Sequence, residues 1–242
     1  MRRVLLASFT LLLLGAEADP WRGPRRRMVE ETIEHPRDGR PPVSDPLVLA
    51  AMRKVERHRF VPEDLRSFAY EDRPLPIGYE QTVSQPYMVA LMTALAAPRP
   101  DHVVLEIGTG SGYQAAVLAE IVQQVYTVEI VEALAKRAAV DLATAGYDNV
   151  SVRAGDGYLG WPERAPFDAV IVTAAPDHVP EPLVAQLKVG GRLVIPVGRQ
   201  SWWGQELVVL EKRADGTTER TQVMRVRFVP LTREQIDRRP PP

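Results

Sequence analysis

The chain has 242 residues, 45% of them hydrophobic, and a formal net charge of −1; it is long enough for one domain with a substantial core, and a strongly basic nucleic-acid footprint is excluded. Cysteine is absent, which excludes disulfides, thiolate zinc sites and cysteine nucleophiles. His35, His58, His102 and His178 lie far apart without metal-ligand spacing, so no metal site is expected.

The N-terminus has Arg2 and Arg3, an apolar run from Val4 to Leu14, and Ala16-Glu17-Ala18. Residues 1–18 therefore read as a candidate signal peptide with an A-x-A cleavage site. The run is too short for a comfortable membrane span. Arg22, Arg25, Arg26 and Arg27 oppose its translocation, and a start near Met28 is the alternative. Residues 19–45, rich in proline, arginine and acid without a sustained period, read as a linker or surface arm. Ser44-Asp45-Pro46 then begins a helix running to about Arg57. Residues 73–86, RPLPIGYEQTVSQP, read as an ordered loop rather than a strand. A helix over Tyr87–Ala97 ends at Pro98.

From Val103 the texture changes to alternating strands and helices. Strands are expected at Val103–Ile107, Val125–Ile130, Asn149–Arg153, Asp168–Thr173 and Arg192–Val197. Helices are expected at Tyr113–Val122, Glu132–Ala145 and Pro180–Lys188, the last followed by Gly190-Gly191. This alternation predicts a mostly parallel sheet covered on both faces. Glu206–Lys212 and Thr221–Val229, joined by a turn at Ala214-Asp215-Gly216, read as a hairpin. An α/β domain over 46–232 and a flexible tail over 233–242 complete the organisation.

Three glycines, Gly108, Gly110 and Gly112, follow a strand and open a helix in VVLEIGTGSGYQAAVLAE. The dinucleotide pattern wants its third small residue at position 113, which is Tyr113, and no lysine follows as a phosphate loop requires. What remains is the G-x-G-x-G turn of S-adenosylmethionine sites. Glu129 stands at the end of the next strand, about twenty residues on, where an acidic side chain accepts from ribose hydroxyls. Asp156, in AGDGY, can accept from an adenine amino group, with Gly157 beside it. Features at the C-terminal ends of successive strands are placed as a ligand in an open α/β sheet requires.

The substrate side must come from outside the sheet. QTVSQPY, Gln81–Tyr87, offers the hydroxyls of Thr82 and Ser84 and no strong base. Transfer of a methyl group to a carboxylate needs little acid–base help, because the nucleophile is already an anion at neutral pH. A serine without a nearby histidine is a poor acyl nucleophile. Ser84 is also expected to cap the helix that starts at Pro86, in addition to any functional role.

These segments, with RHRFVP (57–62), PLPIGYEQTVSQPYMVALM (74–92), the run from Pro166 to Gly198 and VRFVPL (226–231), resemble the protein-L-isoaspartate O-methyltransferase family. The resemblance implies a Rossmann-like, doubly wound α/β fold with a seven-stranded methyltransferase sheet, an N-terminal helical addition and a C-terminal β-hairpin. It implies S-adenosyl-L-methionine as cofactor, bound by Glu106, Gly108, Gly110, Gly112, Glu129, Asp156 and Gly157. It implies Ser84 as the active-site residue, with Thr82, Val83 and Gln85 shaping the substrate pocket. Glu80 departs from the glycine of many bacterial members and is expected to point to solvent. The implied activity is repair methylation of L-isoaspartyl, and by extension D-aspartyl, carboxylates in damaged proteins and peptides. Alternatives are another S-adenosylmethionine-dependent methyltransferase or a non-catalytic binding module. No nucleic-acid partner and no stable membrane association are expected, and the chain is expected to be a monomer. Cofactor supply favours the cytoplasm over export through residues 1–18.

Overall fold

The computed structural model describes residues 19–199, 202 and 204–233. The candidate signal peptide and all but the first residue of the tail lie outside them. Within them the arm is structured almost from its start, contrary to the linker reading. Helix α1 (Arg22–Met28) continues into a π-helical turn at Val29–Glu34, where the His35 N–H donates to the Glu30 carbonyl. Met28, Val29, Ile33 and Val43 are buried in the main core. Arg25 is buried too, because Asp19, the Arg53 carbonyl and the Tyr70 hydroxyl take its donors. Its apolar residues and the matched charge bring the segment onto the domain.

Asp45 caps helix α2 (Pro46–Lys54), accepting from the N–H groups of Leu47 and Val48. Residues 75–83, expected as a loop, form a hairpin of β1 (Leu75–Gly78) and β2 (Gln81–Val83). Tyr79 and Glu80 have φ of 53° and 57°, the signature of a two-residue turn of type I′. Helix α3 (Pro86–Ala96) is buried on nearly all sides.

The sheet follows the alternating pattern. Its elements are β3 (Val103–Ile107), α4 (Tyr113–Ala119), β4 (Gln124–Glu129), α5 (Glu132–Thr144), β5 (Val150–Ala154), β6 (Phe167–Val172), α6 (Glu181–Ala185), β7 (Leu187–Val197), β8 (Gln205–Lys212) and β9 (Thr218–Val226). Strand order is β5-β4-β3-β6-β7-β8-β9; β5 to β7 are parallel and β8 and β9 add on antiparallel. Helix α6 is shorter than expected, and β7 runs through Gly190-Gly191 with a register irregularity against β6. The two faces are distinct cores: Val104, Ala169 and Ile171 pack with α3 and α4, while Leu105, Ile107 and Val170 pack on the opposite side. Each fully buried Val, Leu or Ile among them contributes about 1.5–3 kcal/mol. The chain winds outward from β3 to β5, then returns to lay β6 on the other side of β3. That reversal opens a crevice at the C-terminal ends of β3 and β6.

Candidate active site

The glycine turn occupies this crevice. Gly108 has φ of 96°, and a Cβ there would stand 2.4 Å from the Thr173 hydroxyl oxygen. That hydroxyl lies 2.7 Å from the Gly108 carbonyl oxygen and 3.0 Å from that of Ile107. The end of β6 thus holds the turn leaving β3. Gly110 donates its N–H to Glu129 Oε2 at 2.7 Å, and Val131 donates to Oε1 at 3.0 Å. Gly112 leads into α4.

Glu129 is 5% exposed. Burial pushes its carboxyl above the usual range, against the backbone donors of Val131, Gly110 and Ile130 that lower it. It lines a slot with Ile107, Gly108, Gly110, Ile130 and Gly157, closed from outside by Val229, Pro230 and Leu231. Gly157 is needed for close packing, since a Cβ there would meet Ile107 Cγ2 at 2.4 Å. Asp156 is beside the slot rather than in its wall. Its Oδ1 accepts from the Tyr158 N–H at 2.9 Å and caps a short 3₁₀ turn.

Glu106 lies below the turn and lines none of these cavities. It is fully buried on β3. Thr127 donates to Glu106 Oε2 at 2.5 Å and its hydroxyl is 2.6 Å from that of Thr109. Burial raises its carboxyl to about 8, and Oε1 has no partner.

On the other side of Thr173 a second cavity, of about 240 Å³, is lined by Thr82, Ser84, Gln85, Met88, Arg227 and Phe228, among others. Ser84 is half-buried. It does not cap α3, which has no side-chain cap, so its hydroxyl is left for the cavity. Gln85 lines the cavity while its Nε2 donates to Asp72 Oδ2 at 2.9 Å. Val83 is buried and faces a smaller space between the hairpin and the glycine turn, with Ser84, Thr109 and Gln114. Thr173 borders all three spaces. Glu80 is exposed at the hairpin tip and lines none of them.

Sequence reasoning missed Thr173, whose signal was its position just after a strand at the point where strand order reverses. It also gave no role to the strap at 226–231. That strap is held by backbone bonds of Ala175 to Val229 and Leu231 and by the Gln205 amide, which donates to the Phe228 carbonyl and accepts from its N–H.

Comparison with known proteins places this geometry. The family model described as protein-L-isoaspartate(D-aspartate) O-methyltransferase matches residues 28–236. The chain is 50% identical over 245 residues to protein-L-isoaspartate O-methyltransferase 2 of Syntrophobacter fumaroxidans, covering 96% of this chain and 99% of that one. It is 60% identical over 188 residues to the Gloeobacter violaceus protein-L-isoaspartate O-methyltransferase, covering 78% and 91%. A solved protein-L-isoaspartate O-methyltransferase superposes with a TM-score of 0.70 at 32% identity, covering 78% of this chain and 61% of that one. A solved Plasmodium falciparum chain, described as a protein-L-isoaspartate O-methyltransferase in complex with S-adenosyl-L-homocysteine, shares the fold with a TM-score of 0.73 at 23% identity, covering 88% and 98%. The chain belongs to the protein-L-isoaspartate(D-aspartate) O-methyltransferase family.

Proposed function

We infer that this chain methylates the free carboxylate of L-isoaspartyl residues, and of D-aspartyl residues, in damaged proteins and peptides, with Ser84 at the acceptor. The observation that carries this is the placement of the Ser84 cavity across Thr173 from the Glu129 slot. The residues of the slot fit an adenosyl group: a buried carboxylate suits ribose hydroxyls and a cationic ligand, and apolar side chains from β3 and β4 suit a purine. Tyr113 stands where the dinucleotide turn needs its third small residue, which disfavours dinucleotides. Gly110, Glu129 and Gly157 would hold the adenosyl part. Asp156 would receive the adenine end from the rim, and Glu106 would act from beneath the turn.

When bound, S-adenosylmethionine supplies an electrophilic methyl carbon on a positively charged sulfur. The chain's own contribution is orientation and exclusion of water. Thr82 and Ser84 present hydroxyls that donate to a carboxylate, and Arg227 adds a positive charge at the cavity wall. Met88, Phe228 and Val229 supply apolar walls that keep water from the reacting oxygen. No proton has to move on the enzyme, which is consistent with the absence of histidine and lysine among the residues lining this cavity.

The test is radiolabelled methyl transfer to an isoaspartyl peptide with its aspartyl twin as control. Only the isoaspartyl peptide is expected to be labelled; equal labelling of both, or of neither, sinks the reading. Ser84→Ala is expected to lower kcat/KM for the peptide by about 10–100-fold, while S-adenosylhomocysteine affinity stays within about two-fold. Among the described residues no helix is long and apolar enough to cross a membrane. We place the action in the cytoplasm, where the cofactor is made. Fractionation of cells expressing the full chain tests this, and a shortened product outside the cytoplasm overturns it.

A further inference from the structure

The arm reaches the acceptor side of the site. Asp72 accepts three hydrogen bonds: Oδ2 from Arg40 Nη2 at 2.7 Å and from Gln85 Nε2 at 2.9 Å, and Oδ1 from the Tyr87 backbone N–H at 2.9 Å. The Tyr87 N–H belongs to the first turn of α3, where backbone donors have no partner within the helix. A carboxylate from a distant segment therefore does what a capping side chain would do, and it grips the turn that presents Ser84.

Arg40 is the counter-ion of that carboxylate. Its guanidinium spans Asp72 and Asp38, each at 2.7 Å, and lies 4.1 Å from the centre of the Tyr87 ring. The Tyr87 hydroxyl donates to the Pro41 carbonyl at 2.9 Å. The Arg40 and Asp72 side chains are 21% and 12% exposed, so this is a partly sheltered, hydrogen-bonded pair rather than a surface contact of small worth. Removing the cation leaves Asp72 to the Gln85 amide and the Tyr87 N–H alone, without the ion that ties it to the arm. Asp38 and Arg40 also wall a cavity of about 510 Å³ that shares Pro74, Gln85, Met88, Arg227 and Phe228 with the Ser84 cavity.

We propose that Arg40 is a positioning residue for the methyl acceptor: through Asp72 it fixes the turn from Ser84 to Tyr87 in the orientation that receives the acceptor carboxylate. The proposal rests on the placement of the acceptor beside Ser84. Arg40 touches neither the glycine turn nor the Glu129 slot, so its influence falls on one substrate and not on the other.

The experiment compares the full chain with Arg40→Ala, Arg40→Lys and Asp72→Asn. It measures steady-state kinetics on an isoaspartyl peptide and the dissociation constant of S-adenosylhomocysteine by calorimetry. Arg40→Ala raises the peptide KM about ten-fold, with kcat changed less than about three-fold and nucleotide affinity within about two-fold. Arg40→Lys keeps a cation facing Asp72 but not the two-sided fork or the ring stacking, so it recovers part of the loss. Asp72→Asn reproduces Arg40→Ala. If the alanine variant does not fold, Arg40→Lys carries the test with a peptide KM raised at least about three-fold. An unchanged peptide KM overturns the proposal. So does a joint loss of kcat, nucleotide affinity and thermal stability, which marks general packing. Wild-type chain inert toward the isoaspartyl peptide, or Ser84→Ala with unchanged kinetics, overturns the Ser84 reading itself and this proposal with it.

Discussion

The two sides of Thr173 are built by different means. On the cofactor side the glycine turn and Glu129 hang on the ends of sheet strands, and backbone donors do most of the holding: Gly110 and Val131 N–H groups fix Glu129, and Val128 accepts from Gly108. On the acceptor side a short hairpin, a helix start, the arm and the strap meet from distant parts of the chain, and side chains join the arm to the helix start. Arg40 reaches Asp72 across 32 residues, and Tyr87 reaches Pro41 across 46. A backbone-held site is broken by steric change and is indifferent to surface charge. A site held by side chains is broken by loss of one ion.

The largest effect that would sharpen this contrast is expected from Gly108→Ala. The new Cβ would have to displace a hydroxyl at 2.4 Å, at a φ of 96°, at a cost of about 3 kcal/mol. Thermal denaturation should show that loss, and calorimetry should show nucleotide affinity falling with it. A variant of wild-type stability that still binds S-adenosylhomocysteine would break the contrast.

An effect smaller per pH unit, and spread over a pH window, concerns Glu106. Its carboxyl is raised from 4.5 to about 8 by burial. Between those values the folded chain holds a proton that the unfolded chain has released, so this group makes stability fall as pH rises through the window, by at most about 1.4 kcal/mol per pH unit. Glu106→Gln preserves an acceptor for Thr127 and removes the titration. Urea denaturation between pH 5 and 8 should therefore give a flatter profile for the variant; an unaltered slope would show that Glu106 ionises freely in the fold.

The smallest effect lies at the hairpin tip. Glu80 sits at positive φ with an ordinary side chain, and Glu80→Gly should raise stability by less than about 1 kcal/mol. The peptide KM should stay where it is, because Glu80 is exposed and lines neither cavity of the acceptor side. A changed KM would mean that the tip takes part in acceptor binding.

The same contrast explains what could be read in advance. The glycine turn, Glu129 and the five parallel strands were legible to within a few residues, because their signals are local: apolar runs, spacing, and a turn that only glycine fits. The 75–83 hairpin was not, since Tyr79-Glu80 lacks the Asn-Gly pattern of a type I′ turn and prolines at 74 and 76 argue against strands. The arm was misread for a related reason. Its prolines and arginines suggest a linker, and only long-range partners such as the Arg53 carbonyl, Tyr70 and Asp72 reveal that Arg25 and Arg40 are held against the domain. Asp72 itself carries no motif, and its importance lies wholly in three donors drawn from elsewhere in the chain.

The strap at 226–231 has one further consequence. Val229 faces both the Glu129 slot and the Ser84 cavity, so the two ligands share a wall. Any shift of that wall on nucleotide binding changes the room left for the acceptor, and the linkage is reciprocal: the factor by which a filled slot alters acceptor affinity is the factor by which a bound acceptor alters nucleotide affinity. If the wall shifts in this way, the methylated protein and the spent nucleotide stay linked after transfer, and the departure of one changes the grip on the other.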